Sequence, residues 1–231
     1  MKNIEKTAVI LMSGGMDSAV CAAIAKTEGY EIAALHINYG QRTETREYQS
    51  FVSLSTIYKI KHKLSVDVSY FSQIGGSSLT STDIEIESAD FDRKVIPASY
   101  VPFRNANIIS IGISWAEVIG AEALFIGANQ LDSSGYPDCT RQFLDAFQSA
   151  IDSGTKPETN IKLIAPLLDM TKKDIVLTGA GLGVPFELTW SCYSDNALAC
   201  GVCDSCALRL RGFHQAGIED PIPYSIKPNY K

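Results

Sequence analysis

Residues 8–19, AVILMSGGMDSA, are the stretch of sequence that decides the fold. The first five, residues 8–12, are apolar and rich in branched side chains, which is typical of a central parallel strand buried on both faces. A serine and two glycines then turn the chain, and Asp17 or Ser18 is expected to begin a helix. Such a turn presents backbone N–H groups to an anion. The stretch therefore predicts a phosphate site, although an ordinary tight turn would share its outline.

The loop itself indicates which phosphate chemistry is involved. It contains no lysine, so it is not the GxxxxGKS/T loop of kinase-like nucleotidases. It resembles instead the SGGxDS loop of the ATP pyrophosphatases, enzymes that adenylate a substrate and hold the departing pyrophosphate. Gly14 and Gly15 can adopt positive φ, and we expect Ser13, Asp17 and Ser18 to be catalytic. Asp17 either holds Mg²⁺ or caps the helix. The resemblance implies an ATP-binding segment made of Leu11, Met12, Ser13, Gly14, Gly15, Met16, Asp17, Ser18, Ala19, Val20 and Cys21.

Composition limits the class of protein. The chain has 231 residues, 45% hydrophobic and 20% charged, enough for one substantial α/β domain with a small appendage. Neither an apolar stretch of membrane-spanning length nor a signal-peptide pattern is present, so we expect a cytoplasmic protein. A net charge of −6, without a dense Lys/Arg block, argues against a nucleic-acid partner.

Strand and helix patterns alternate along the chain, which predicts a parallel sheet with helices on both faces. The predicted strands are 8–12, 31–38, 62–67, 123–126 and 161–168. The predicted helices are 18–27, a polar helix after residue 40, and 108–119, 140–151 and 171–178.

Polar residues follow several predicted strands, where open α/β sheets bind their ligands. Gln41 and Arg42 follow the second strand, and solvated loop residues would look the same. Arg104 and Asn105 precede the helix at 108–119, where they either bind an anion or serve as a surface arginine and a helix cap. The pattern leaves both alternatives open.

A polar loop follows the fourth strand. In it, Asp132 and Asp138 can accept hydrogen bonds from a heterocycle while Tyr136 stacks on it, although a plain turn is the alternative. Residues 73–94 form either an active-site flap or a surface excursion. Lys172 either faces a nucleotide or lies exposed.

Four of the six cysteines are close together in the sequence, with the spacing C-x7-C-x2-C-x2-C. Four thiolates can surround one tetrahedral Zn²⁺ and leave no open position, which predicts a structural metal site. Gly201 would let the chain turn between ligands. An iron–sulfur cluster and unliganded thiols remain alternatives. The predicted ligands are Cys192, Cys200, Cys203 and Cys206.

The motifs SGGMDS, NYGQR, YVPFRN, SGYPDC, TWSCY and CGVCDSCALRLRGF, in this order, resemble the 7-cyano-7-deazaguanine synthase family over nearly the whole chain. The resemblance implies a Rossmann-like fold of the adenine nucleotide alpha hydrolase-like type. It also implies a nucleotide-binding domain at 1–185, a zinc-binding region at 186–231 and a homodimer. The family often has a glycine where this chain has Phe103.

The resemblance further implies an activity. The family converts 7-carboxy-7-deazaguanine, ammonia and ATP into 7-cyano-7-deazaguanine (preQ0) for queuosine-type biosynthesis, through an adenylated carboxylate and an amide. ATP with Mg²⁺ is then a co-substrate, and Zn²⁺ is a structural metal held by the four cysteines. Our candidate substrate residues are Arg104, Asp132, Tyr136 and Asp138.

Other classes of protein share parts of this pattern. A tRNA-thiolating pyrophosphatase would need a persulfide cysteine and a basic face, whereas an NAD or GMP synthetase-like enzyme would not need the cysteine cluster. A homologue that attaches a deazaguanine to a protein would share almost every motif. The last alternative is a binding protein that is stabilised by zinc and has an inactive nucleotide site. A measurement of ATP turnover distinguishes this protein from an enzyme.

Overall fold

The computed structural model describes residues 6–131 and 135–231. Within them, five strands form one parallel sheet in the order β3-β2-β1-β4-β5. The strands are β1 (Lys6–Leu11), β2 (Tyr30–Asn38), β3 (His62–Asp67), β4 (Ala123–Phe125) and β5 (Lys162–Ile164). The helices are α1 (Met16–Thr27), α2 (Glu44–Ile57), α3 (Tyr70–Ile74), α4 (Arg104–Ile119), α5 (Arg141–Gly154), α6 (Lys172–Gly181) and α7 (Asp204–Ala216).

Helices cover both faces of the sheet, as predicted. Successive side chains of a strand point to opposite faces. Ala8 and Ile10 of β1 therefore pack in a core built with α1, α2, α6 and α7. Val9 and Leu11 pack in a second core, built with α4 and α5. The predicted parallel α/β fold is confirmed, with β1 buried on both sides.

Some boundaries differ from the sequence prediction. β5 covers three residues rather than the predicted 161–168, because Pro166 cannot donate a ladder hydrogen bond. α1 begins at Met16 and α4 at Arg104, both earlier than predicted. The early start of α4 places Arg104 in its first turn rather than in the preceding loop.

The C-terminal region packs against the sheet domain. Phe213 of α7 belongs to the same core as α1 and α6, whereas Trp190 and Ile222 form a smaller cluster with the cysteines. The division between residues 185 and 186 stays a prediction. Every helix in the described part of the chain is too short or too polar to cross a membrane.

The backbone conformation of Phe103, at the start of α4, explains why glycine suits this position. It is the N-cap residue and has φ of 56° and ψ of 25°, in the left-handed region, with 60% of the residue exposed. This conformation costs a residue with a Cβ about 1–2 kcal/mol. Glycine adopts it freely, which is a physical reason for a glycine at this position.

Phe103→Gly is expected to be more stable than Phe103→Ala by about 1 kcal/mol. Glycine avoids the cost of about 1–2 kcal/mol that a Cβ imposes in the left-handed conformation. This gain exceeds the free-energy cost of about 0.5–1 kcal/mol that comes from glycine's greater loss of chain entropy on folding. Both variants lose the edge contact with Phe143 equally, so their difference isolates the backbone effect. Urea denaturation measures it, and an alanine variant as stable as the glycine variant would contradict the explanation.

Candidate functional site

A cavity of about 280 Å³ opens at the carboxyl ends of β1, β2 and β4. On one side of β1 the chain adds β2 and then β3 to the sheet, and on the other side it adds β4 and then β5. Open α/β sheets bind ligands where the strand order reverses in this way. The predicted phosphate loop forms one wall of the cavity.

The loop between β1 and α1 is shaped by Gly14, which has a φ of 90°. A Cβ on Gly14 would lie 2.5 Å from the carbonyl oxygen of Glu47, so only glycine lets the loop approach α2 this closely. Gly15 has a φ of −79° and is the N-cap of α1. Of the two glycines, Gly14 therefore uses the positive φ that the sequence allows, and Gly15 does not.

The serine hydroxyls brace this loop. The N–H of Gly15 donates to Ser13 Oγ (3.2 Å), and Ser18 Oγ donates to the carbonyl of Gly15 (2.9 Å). Both serines line the cavity, beside the N-terminal turn of α1 whose N–H groups lack helical partners. The loop is thus arranged as an anion site. The catalytic roles of Ser13 and Ser18 stay predictions.

Asp17 is paired with Lys172 across the sequence. Lys172 Nζ lies 2.6 Å from Asp17 Oδ2, and Lys172 is only 8% exposed. The alternative of an exposed lysine is therefore wrong, and Asp17 makes no capping hydrogen bond. Asp17 Oδ1 is buried and has no hydrogen-bond partner among the described residues. Both side chains line the cavity, where a free carboxylate oxygen suits Mg²⁺.

An arginine and two tyrosines also line the cavity. The Arg104 guanidinium lies 5.1 Å from the ring centre of Tyr39 and 6.0 Å from that of Tyr136. It also donates to Tyr39 Oη (3.2 Å). Burial raises the pKa of Tyr39, so this phenol is neutral at pH 7. Arg104 is therefore a cavity residue rather than the surface arginine that the sequence also allowed.

The other candidate substrate residues have different positions. Tyr136 lines the cavity and donates to Ser99 Oγ (2.9 Å). Asp138 is buried, and its Oδ2 accepts from the backbone N–H of Asn105 (2.9 Å), so it supports the first turn of α4. Asp132 lies outside the described residues. A substrate role for Arg104, Asp132, Tyr136 and Asp138 stays a prediction.

The TWSCY segment also reaches this cavity, which sequence reasoning missed. The N–H of Trp190 donates to the carbonyl of Gly14 (2.9 Å), and the Arg46 guanidinium lies 4.7 Å from a Trp190 ring centre. Trp190 and Tyr193 both line the cavity. Nothing in the spacing of TWSCY indicates this contact, because it joins residues far apart in the sequence.

Glu47 is a further cavity residue that the sequence did not indicate. Its Oε1 accepts from Thr43 Oγ1 (2.8 Å) and its Oε2 from Gln41 Nε2 (3.0 Å). Burial raises the pKa of Glu47 to about 7, although these hydrogen bonds and the charge of Arg104 act to lower it. Gln41 is therefore a buried support for Glu47 rather than a solvated loop residue.

This raised pKa makes stability depend on pH. Between about pH 4.5 and 7 the folded state binds a proton at Glu47 that the unfolded chain has lost, so stability falls as pH rises through this window. Glu47→Gln removes the titration. Urea denaturation at several pH values is expected to show the wild type losing stability relative to Glu47→Gln between pH 4.5 and 8. Parallel profiles for the two proteins would contradict it.

The predicted cysteine ligands form one compact group. Their Sγ atoms all lie within 4.8 Å of one another, and those of Cys200 and Cys206 are 3.9 Å apart. A tetrahedral ion with metal–sulfur bonds of about 2.3 Å requires edges of about 3.8 Å, so the group fits a single metal ion. Backbone N–H groups of Cys200 and Cys203 donate to sulfurs of the cluster, which favours thiolates. Cys192, Cys200, Cys203 and Cys206 can together hold a metal.

Two other segments shape this cluster. Gly201 turns the chain between ligands with a φ of 80°, as predicted, and a Cβ there would overlap the carbonyl oxygen of Ile226. The excursion at 73–94 lies against the cluster through a bridge between Ser88 and Cys203. It is therefore packed on the metal-binding region in its later half.

The fold and the site define a Rossmann-like α/β protein with a glycine-rich anion loop, a ligand cavity at the switch point and a separate tetracysteine cluster. A family model described as queuosine biosynthesis protein QueC matches residues 7–217. The chain belongs to the QueC family, and the predicted family resemblance is confirmed.

The relatives carry a more specific name. A protein of Chlorobium phaeobacteroides named 7-cyano-7-deazaguanine synthase is 55% identical over 223 residues, covering 96% of this chain and 99% of that protein. One of the same name from Chlorobium luteolum is 56% identical, covering 96% and 98%. Among solved structures, a 4-thiouridine synthetase with RNA and ATP is 19% identical, with a TM-score of 0.48, covering 95% of this chain and 47% of that one.

Proposed function

We propose that the chain catalyses the ATP-dependent conversion of 7-carboxy-7-deazaguanine and ammonia into 7-cyano-7-deazaguanine, for queuosine-type biosynthesis. The observation that carries the proposal is that the anion loop and the Tyr39, Arg104 and Tyr136 wall line one cavity. A nucleotide phosphate and a flat heterocycle can therefore meet there. The name of the relatives supports this substrate class.

The first step activates the carboxylate. A carboxylate is a poor electrophile, so its oxygen attacks the α-phosphorus of ATP and pyrophosphate leaves, giving an acyl adenylate. The N–H groups of the first turn of α1, the hydroxyls of Ser13 and Ser18 and the Lys172 ammonium can stabilise the charge that grows on the pyrophosphate. Asp17 Oδ1 is the oxygen available for the Mg²⁺ that accompanies ATP.

The second half makes the nitrile. Ammonia attacks the carbonyl carbon, AMP leaves, and loss of a proton gives the amide. The amide oxygen then attacks a second ATP at the α-phosphorus, and pyrophosphate leaves. Loss of AMP and of the remaining N–H protons leaves the carbon–nitrogen triple bond. No step needs a nucleophilic side chain, in agreement with a cavity built for binding and charge stabilisation.

The proposal assigns Zn²⁺ to the cysteine cluster. Cys192, Cys200, Cys203 and Cys206 are four protein ligands, which leave no open position for chemistry. Bound zinc would cross-link residues 192–206 and so stabilise the segment that contacts the anion loop through Trp190. A homodimer and a cytoplasmic location stay predictions.

Nucleotide stoichiometry tests the proposed reaction. Purified protein with ATP, Mg²⁺, ammonium and 7-carboxy-7-deazaguanine is expected to release about two AMP and two pyrophosphate for each base converted, as two adenylations require. The control is 7-deazaguanine, which lacks the carboxylate and is expected to release none. ATP consumption that does not depend on the carboxylated base would contradict the substrate.

A further inference from the structure

The proposed substrate, on which this inference rests, has one edge that distinguishes it from other purines. A guanine-type base presents the O6 acceptor, the N1–H donor and the 2-amino donor side by side. A protein that reads this edge needs one donor and two adjacent acceptors, and a carboxylate supplies both acceptors at once. Adenine-type bases offer a different order of donors and acceptors, and hypoxanthine-type bases lack the amino group.

Two carboxylates line the cavity within the described residues, Asp17 and Glu47. Asp17 belongs to the anion loop, and one of its oxygens binds Lys172. Glu47 is linked to the arginine and tyrosine wall through Gln41, which donates to Glu47 Oε2 and accepts from the N–H of Tyr39. The carboxylate suited to a base is therefore Glu47.

The Glu47 carboxylate is held in a fixed orientation. Thr43 donates to Oε1 and Gln41 to Oε2, so each oxygen keeps one acceptor position. Gln41 is itself held, because its Oε1 accepts from the N–H of Tyr39 (2.9 Å). A side chain braced on both oxygens loses little entropy when it binds a ligand, which favours recognition.

The surroundings also disfavour a purely structural role. The hydrogen-bond donors to Glu47 in the protein are neutral, so neither contact brings a positive charge to offset the cost of burying the carboxylate. Burial raises the pKa of Glu47 to about 7, which is the signature of that cost. Two N–H donors from a ligand would offset it.

We propose that Glu47 selects the guanine-type base, its two oxygens accepting from N1–H and the 2-amino group while Arg104 donates to O6. The stacking surface would come from Tyr39 or Tyr136. The carboxylated position 7 lies on the other side of the base from the 2-amino group. This orientation would therefore keep the carboxylate away from the Glu47 carboxylate and open to the rest of the cavity.

Binding, rather than turnover, tests this assignment. Calorimetry in the presence of Mg²⁺ and α,β-methylene-ATP compares 7-carboxy-7-deazaguanine with the analogue that lacks the 2-amino group. The wild type is expected to prefer the guanine-type base by about 10- to 100-fold, as expected for one hydrogen bond to a charged acceptor. In Glu47→Gln the preference is expected to fall below about 3-fold, because the glutamine amide offers only one acceptor oxygen.

A control variant and a measurement of nucleotide affinity show whether the effect is specific to Glu47. Glu44→Gln changes an exposed carboxylate on the same helix and is expected to keep the wild-type preference. The affinity for α,β-methylene-ATP is expected to stay within about 2-fold in both variants. If Glu47→Gln does not fold, Glu47→Asp provides the second variant, since its shorter side chain is expected to reduce the preference while keeping the charge.

The outcomes separate the two claims. A glutamine or aspartate variant that retains the wild-type preference for the 2-amino group overturns the role of Glu47 and leaves the proposed function standing. A wild type that binds the nucleotide analogue but neither base overturns the proposed function, and this assignment with it.

Discussion

Asp17→Ala is expected to lower the rate of nitrile formation by at least about 10³-fold while leaving the fold intact. Asp17 offers a cavity oxygen that no described residue uses, and it holds Lys172 beside the anion loop. Its removal takes away both a Mg²⁺ ligand and the positioning of a cation, and losing one preorganised charge-stabilising group typically costs about 10²–10³-fold. Product formation in single-turnover assays measures the effect.

The fold should tolerate this change because 28% of the Asp17 side-chain surface is exposed to solvent. The loss of unfolding free energy is then expected to lie between the ~1 kcal/mol of exposed ion pairs and the ~3 kcal/mol of buried ones. Circular dichroism and urea denaturation check it. Asp145→Ala, on the exposed face of α5, is the matched control and should have wild-type turnover. An Asp17→Ala enzyme within a few-fold of wild type would show that the anion-loop assignment is wrong.

Cys203→Ser is expected to lose both the bound metal and much of the stability. Cys203 is buried, and its removal leaves three of the four sulfurs that a closed tetrahedral site needs. Structural zinc contributes directly to folding free energy, so its loss should lower the melting temperature and expose the Trp190 segment to solvent. Metal analysis is expected to find about one zinc per chain in the wild type and less than about 0.1 in the variant.

Cys139→Ser is the control for metal content, because Cys139 lies outside the cluster and its thiol accepts from Asn105. This variant should keep its zinc. A stable Cys203→Ser protein would remove the structural role of the metal. Visible absorbance of the wild type separates the iron–sulfur alternative, since Zn²⁺ has a filled d shell and gives no such band.

Short sequence patterns predicted those features of the structure that are formed by residues close together in the chain. The apolar run at 8–12, the glycine at position 14 and the cysteine spacing each specify a strand, a turn or a ligand set within a few residues. The sheet and its covering helices follow from the alternation of such segments. The fold and the cysteine cluster were therefore predictable before any contact was known.

The features that the sequence did not predict depend on contacts between residues that are far apart in the chain. Lys172 is 155 positions from Asp17, and its burial arises only when α6 packs beside α1. Glu47 reads as an exposed helix residue until Gln41 folds back onto it. The left-handed conformation of Phe103 contradicts its own preference, so no propensity could indicate it. In each case tertiary packing overrides the local signal.

The central claim is tested most directly by mass spectrometry of the base after incubation of zinc-replete protein with ATP, Mg²⁺, ¹⁵N-ammonium and 7-carboxy-7-deazaguanine. The expected product is 7-cyano-7-deazaguanine with one ¹⁵N in the nitrile, formed together with AMP. Consumption of ATP without the labelled nitrile would contradict the proposed substrate while leaving the nucleotide site in place. No consumption by metal-replete protein would contradict the catalytic account as a whole and favour a nucleotide-binding role.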